Sequence, residues 1–162
     1  MGRIRLISQA SLAFGFVLST SGAGTASEAR AFQDWSVTCH DDMCIASQTN
    51  FGPKETWLAT VRLRQQDDGS AAVQVFVPAG VHLGSGLFVQ LKSGKPVQVP
   101  YLTCNAETCE AVAELSANTI ASWKQARAVS VRYRPALTSP PIAFDISMMG
   151  VTAALQETGG QG

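Results

Sequence analysis

Four cysteines carry the clearest chemical signal in this chain. Cys39 and Cys44 bracket His40-Asp41-Asp42-Met43, and Cys104 and Cys109 bracket Asn105-Ala106-Glu107-Thr108. In an oxidising compartment an even set of thiols becomes disulfides, and four cysteines allow three pairings. Opposed residues in a non-hydrogen-bonded antiparallel pair lie ~4.5 Å apart at Cα, within reach of the ~4.4–6.8 Å that a disulfide spans. Local bridges are therefore geometrically easy. Each would close a short ring worth about 2 kcal/mol, against about 4 kcal/mol for a distant bridge such as Cys39–Cys104. Chain entropy does not choose between those geometries. Four thiolates could also hold zinc, the spacing lying at the upper end of the usual range, but an oxidising compartment disfavours this. A thioredoxin-like redox centre needs C-x-x-C beside a βαβ pattern, and neither is present.

The other reactive side chains do not assemble into a constellation. His40-Asp41-Asp42 could bind a cation, or it is simply a solvated polar turn. His82 is the only other histidine, and a satisfied loop histidine explains it as well as a pocket base does. Asp145 alternates with Phe144 and Ile146 and is expected to face solvent. Glu110 and Glu114 have no reason to pair across a substrate. Gly84-Ser85-Gly86 fails as a nucleophile elbow, which needs glycine two residues either side of the serine, where Leu83 and Leu87 stand. Ser93-Gly94-Lys95-Pro96 fails as a phosphate loop, with Pro96 in the Ser/Thr place and Val89 in the first glycine's. Trp35, Trp57 and Trp123 could line a binding face, but packing is the expectation for Trp35 and Trp57. Met148-Met149 reads as core. No catalytic residue, metal site or cofactor is expected.

A leader precedes the cysteines. Arg3 and Arg5 are followed by a broken apolar run from Ile4 to Leu18, then by small residues from Ser19 through Ala26. That order is a secretory signal peptide over residues 1–26, with cleavage after Ala26 and with Ala29 and Ala31 as later competitors. The run is too short to span a bilayer, and no later stretch approaches ~18 apolar residues. Losing Arg3 and Arg5 from 12 Lys+Arg leaves 10 against 12 Asp+Glu, a net −2. Such a domain lacks the basic footprint of a nucleic-acid or anionic-lipid binder. About 125 residues remain, enough for a single domain with its own core.

Those residues alternate short β-type runs with turn signals, the pattern of an all-β, antiparallel β-sandwich-like domain over residues 32–155. Trp35, Val37 and Cys39 share one strand face. Trp57, Ala59, Val61 and Leu63 share another, with Arg62 and Arg64 outward. Val73, Val75 and Val77 continue until Pro78 ends that strand. Residues 86–92 and 95–101 flank Ser93-Gly94, where Gly94 would supply the positive φ of a tight hairpin. One short helix is expected in 116–127, capped by Ser116 or Asn118, with Ala117, Ile120, Ala121 and Lys124 at helical spacing. Val129–Tyr133 and Ile142–Met148 are further strands. Val151–Leu155 is expected to form a final helical turn, and residues 156–162 a disordered tail.

Several segments in series resemble the invasion-associated locus B family. Phe32-Gln33-Asp34-Trp35-Ser36-Val37-Thr38-Cys39 resembles its aromatic-x-Asp-Trp-x-Val-x-Cys opening. Cys44-Ile45-Ala46-Ser47-Gln48 is similar to its second cysteine with a hydrophobic residue and glutamine following. Residues 77–87 resemble its Pro-x-Gly-Val-x-Leu-x-x-Gly-hydrophobic segment, and Tyr101-Leu102-Thr103-Cys104 with Cys109-Glu110-Ala111 its second cysteine pair. Residues 147–155 resemble its closing segment, with Val151 where an aromatic is common. The resemblance implies a β-sandwich-like domain exported to the periplasm or cell surface of alphaproteobacteria, in a family with no agreed catalytic residues. The expectation is an exported, non-catalytic envelope or cell-surface interaction protein that aids host-cell contact through an envelope or host protein partner. The other reading is a periplasmic carrier of a small apolar ligand, which requires a cavity of ~300 Å³ or more. The candidate functional loop is 78–87, with Pro78, Gly80, His82 and Gly86 as candidate binding residues, unless that loop is only a crossover between sheets.

Overall fold

The computed structural model describes residues 29–159, so the leader, its cleavage after Ala26 and residues 160–162 lie outside the described residues. The strands are β1 (Ala29–Phe32), β2 (Trp35–His40), β3 (Met43–Phe51), β4 (Trp57–Gln65), β5 (Ala71–Pro78), β6 (Leu87–Gln90), β7 (Val97–Val99), β8 (Tyr101–Cys104), β9 (Thr108–Leu115), β10 (Ala128–Tyr133) and β11 (Ile142–Ser147). Helix α1 (Ala117–Gln125) lies between β9 and β10, and α2 (Val151–Gly159) follows β11. A seven-stranded sheet runs β1-β2-β3-β4-β5-β9-β8, and a four-stranded sheet runs β11-β10-β6-β7. Every strand pair is antiparallel.

Period-two alternation builds the sandwich. Val37, Ala46, Val61, Leu63, Val73, Val75 and Ala111 project inward from the large sheet and are fully buried. Leu87, Val89, Val129, Val131 and Ile146 do so from the small sheet and join the same cluster. Burying each such side chain is worth about 1.5–3 kcal/mol. Helix α1 begins at Ser116, whose Oγ accepts the Thr119 N–H at 3.3 Å, and it buries Ile120 and Trp123. Helix α2 packs on β2, β3 and β4, burying Val151, Ala154, Leu155 and Thr158.

Both cysteine pairs are bridged locally, Cys39–Cys44 and Cys104–Cys109, each with Cα atoms 4.0 Å apart. Each pair stands directly opposite in its hairpin register. In the first, pairing continues to His40 and Met43, so the turn itself is only Asp41-Asp42, and Asp41 takes a left-handed φ of 50°. In the second, Asn105 Oδ1 accepts the Glu107 and Thr108 N–H groups, both at 2.8 Å. Replacing Cys39 and Cys44 together by serine is expected to cost about 2 kcal/mol. Melting curves that coincide with and without reductant would contradict a stabilising role for the bridges.

Three expectations are corrected. The hairpin around Ser93-Gly94 is not tight: β6 and β7 last pair at Val89 and Val97, and Gly94 donates to Leu91 O at 3.0 Å inside a longer loop. The run 95–101 is also divided, because the chain leaves the small sheet after Val99 and joins the large one at Tyr101. Pro100, which has no N–H to give a ladder, sits at that corner. Finally, residues 156–159 are helical, where a disordered tail was expected. Helix α2 continues through Gly159 because Thr158 is buried, its Oγ accepting the Gln65 N–H at 3.0 Å. The second helix is thus full-length rather than a single turn.

Two tyrosines differ in how their hydroxyls are satisfied. Tyr133 Oη donates to Leu58 O at 3.0 Å, tying the small sheet to the large one. Tyr101 Oη is buried without a hydrogen-bond partner among the described residues. Burial, with Tyr133 nearby, pushes Tyr101 up to about 12, and burial raises Tyr133 as well. Unfolded phenols ionise near 10, so this stabilisation is complete below about pH 10 and is lost as pH rises towards 12. In a melting series run from neutral pH through that window, Tyr133→Phe is expected to cost about 1 kcal/mol at the neutral end. Tyr101→Phe is expected to be neutral or stabilising there and to flatten the alkaline loss.

Candidate functional site

His40, Asp41 and Asp42 sit exposed at the tip of the β2–β3 hairpin. No group of three or more His, Cys, Asp or Glu side chains poised for a metal occurs among the described residues. His82 lies elsewhere, at the start of a short 3-10 turn over Leu83–Ser85. Its Nδ1 accepts the Ser85 N–H at 3.1 Å and lies 2.8 Å from Ser85 Oγ, so the ring is a local cap.

The remaining candidates separate in the same way. Asp145 faces solvent. Glu110 accepts from Gln74 Nε2 at 3.0 Å, and Glu114 from Ser70 Oγ at 3.3 Å. Trp35 and Trp123 are buried, whereas Trp57 is half-buried at the start of β4, its Nε1 donating to Thr60 Oγ1 at 3.1 Å. Met148 is buried, but Met149 is exposed, a correction to the core reading of that pair. The turn after Met149 redirects the chain into α2 and leaves its side chain in solvent.

The loop from Pro78 to Gly86 carries the chain from β5 in the large sheet to β6 in the small one. It is anchored twice, by Ala79 N–H to Glu107 O at 2.9 Å and by His82 N–H to Arg134 O at 2.8 Å. Gly80 and Gly86 take φ values of 85° and 70°, a backbone region that glycine enters without strain. A Cβ on Gly86 would meet Gln98 Nε2 at 3.0 Å and Phe88 Cε2 at 3.3 Å. Beside Gly86 lies an open depression of about 230 Å³ lined by Ser85, Phe88, Arg132, Tyr133, Arg134 and Pro141.

A second candidate surface is the outer face of the large sheet. The outward side chains of β3, β4, β5 and β9 are half-buried or exposed, and none is fully buried. Met43, Ile45, Ala72 and Val112 there line a shallow depression of about 230 Å³ between Arg62 and Arg64. The Arg62 guanidinium lies 4.8 Å from the Phe76 ring centroid. Neither arginine is ion-paired with a described residue. Parity along β4 had placed both arginines outward; the apolar residues beside them were less legible, because outward positions usually read as polar.

A buried polar node was missed altogether. Gln48 Nε2 donates to Asp34 O at 3.0 Å and to Ser147 O at 3.1 Å, while its Oε1 accepts the Ser147 N–H at 2.9 Å. Trp35 Nε1 donates to the same Ser147 O at 2.9 Å. The Trp-x-Val-x-Cys opening and the glutamine after the second cysteine thus meet on the backbone of β11.

Comparison with known proteins places this geometry. An Invasion protein B homolog from Brucella abortus strain 2308 is 27% identical over 139 residues, covering 83% of this chain and 79% of its own. A homolog from Brucella abortus biovar 1 strain 9-941 gives the same figures. The crystal structure of invasion associated protein B from Bartonella henselae superposes with a TM-score of 0.72 at 18% identity, over 82% of this chain and 96% of that one, which bears on fold. The family model described as Invasion associated locus B (IalB) protein matches residues 35–159, from the tryptophan that caps Ser147 to the end of α2. The chain belongs to the invasion associated locus B family.

Proposed function

We propose that this chain is an exported envelope or cell-surface protein that acts by binding another protein rather than by catalysis. The observation that carries the reading is the outer face of the large sheet, where Met43, Ile45, Ala72 and Val112 lie between two arginines that make no ion pair among the described residues. Apolar area flanked by two guanidinium groups that make no ion pair with a described residue suits a partner that presents apolar side chains beside carboxylates. The two disulfides fit an oxidising compartment. Cleavage after Ala26 would keep β1 intact, whereas cleavage after Ala31 would remove most of it. The relatives' printed names, as Invasion protein B homologs, agree with a role at the boundary between bacterium and host.

A carrier of a small apolar ligand would need an enclosed cavity between the sheets. That space is occupied by Leu63, Val75, Val89, Val131 and Ile146, all fully buried. Protease digestion of intact cells, repeated after the outer membrane is permeabilised, tests the export on which the proposal rests. Cleavage at either stage is the expected result, the first indicating a surface protein and the second a periplasmic one. Protection at both stages would contradict it.

A further inference from the structure

The depression beside Gly86 has a composition that the binding face on the large sheet does not explain. Arg132 and Arg134 alternate along one edge of β10 and its extension, so both side chains leave the same face of the small sheet. Arg132 pairs in register with Phe88 and Ala143, and its guanidinium lies 5.4 Å from the Phe88 ring centroid. It has no hydrogen-bond or ion-pair partner among the described residues. Arg134 gives Nη1 to Leu137 O at 3.2 Å and Ser139 O at 2.8 Å. Those two bonds hold the loop that ends in Pro141, the opposite wall, and leave Nε and Nη2 uncommitted. No carboxylate lines this depression.

Two more features shape it. Gly86 lines the depression with φ 70°, and its missing side chain lets Gln98 and Phe88 pack against its backbone. Ser85 is fixed through its N–H on His82 Nδ1, so its hydroxyl can turn from that nitrogen to a ligand oxygen without unfolding the turn. Two guanidinium groups and one hydroxyl around about 230 Å³ match a small oxyanion better than a drug-sized ligand. The double positive charge favours a dianion over a carboxylate.

We propose that this depression binds a phosphate group, with Arg132 and Arg134 as the charged contacts and Ser85 as the neutral donor. The inference is independent of the protein-docking face, which lies on the other sheet. A phosphate group could arrive free or as a lipid headgroup, and the two sources separate experimentally. Inorganic phosphate titrated into the folded, oxidised protein should shift the Ser85, Gly86 and Arg132 amide resonances saturably, with a dissociation constant on the order of 1 mM. Vesicles of phosphatidic acid in phosphatidylcholine, compared with phosphatidylcholine alone, report the lipid source.

Arg132→Gln is the informative variant, because Arg132 is exposed and supports no backbone bond. Binding to whichever probe is effective should weaken roughly tenfold while the melting temperature holds, as expected for losing one charge-assisted contact. Shifts with inorganic phosphate support the site for free phosphate, and binding only to phosphatidic acid vesicles supports it for a headgroup. Absence of both, or binding that Arg132→Gln leaves unchanged, overturns the proposal.

Discussion

Replacing Gln48 by leucine is expected to destabilise the domain by about 3 kcal/mol. The substitution is nearly isosteric, so the loss comes from polar groups rather than volume. The Ser147 N–H and the Asp34 carbonyl would each lose the partner that Gln48 supplies at 2.9 and 3.0 Å. Trp35 would continue to serve Ser147 O. The same node makes Gln48→Glu a pH-dependent lesion. A carboxylate still accepts the Ser147 N–H but faces the Asp34 and Ser147 carbonyls, so its neutral form is favoured and its pKa rises. Stability of that variant should be highest below the ordinary glutamate pKa and fall as pH rises through the elevated one. Denaturant unfolding at pH 4 and pH 7 checks this; equal losses at both would show that the node is not set by hydrogen bonding.

Gly150→Ala is expected to cost at least about 3 kcal/mol. Gly150 opens α2 with φ 88°, and a Cβ there would stand 2.0 Å from Phe32 O and 2.7 Å from Phe32 C. Those are backbone atoms of β1 and cannot rotate away. Relief requires separating the β1–β2 turn from the start of α2, which breaks the Asp34 N–H to Met149 O bond. Gly80→Ala is the control. Its φ of 85° is equally left-handed, but nothing lies within 4 Å of the added methyl, so about 1 kcal/mol is expected. Equal thermal shifts for the two variants would assign the whole effect to backbone strain and none to the close approach.

How much of this was legible depended on whether a residue's role was local. Period two along Trp35–Cys39, Ala59–Leu63 and Val73–Val77 marked the inward faces, because burial on a pleated strand depends on parity, whereas Trp57 at the strand's start stays outside the core expected for it. Ser116 as a cap was legible because capping reaches three residues. Gln48 was not read as a core residue, although it shares parity with Cys44 and Ala46, because its partners Asp34 and Ser147 are 14 and 99 residues away. Gly150 escaped for the same reason: its constraint is Phe32, brought close only by the fold. The division of 95–101 at Pro100 was hidden because both halves keep strand character while belonging to different sheets. In the candidate site, the alternation of Arg132 with Arg134 was readable, but the wall formed by Ser85, Gly86 and Pro141 was not.

The central claim is that the outer face of the large sheet meets a protein partner. A photo-reactive side chain placed at Ile45 in living cells, with the same group at Ala143 on the small sheet as control, tests it most directly. The account predicts a discrete cross-linked product from position 45, absent from position 143 and lost when Arg62→Glu and Arg64→Glu are introduced together. No product from position 45, or one that persists after that charge reversal, would contradict it.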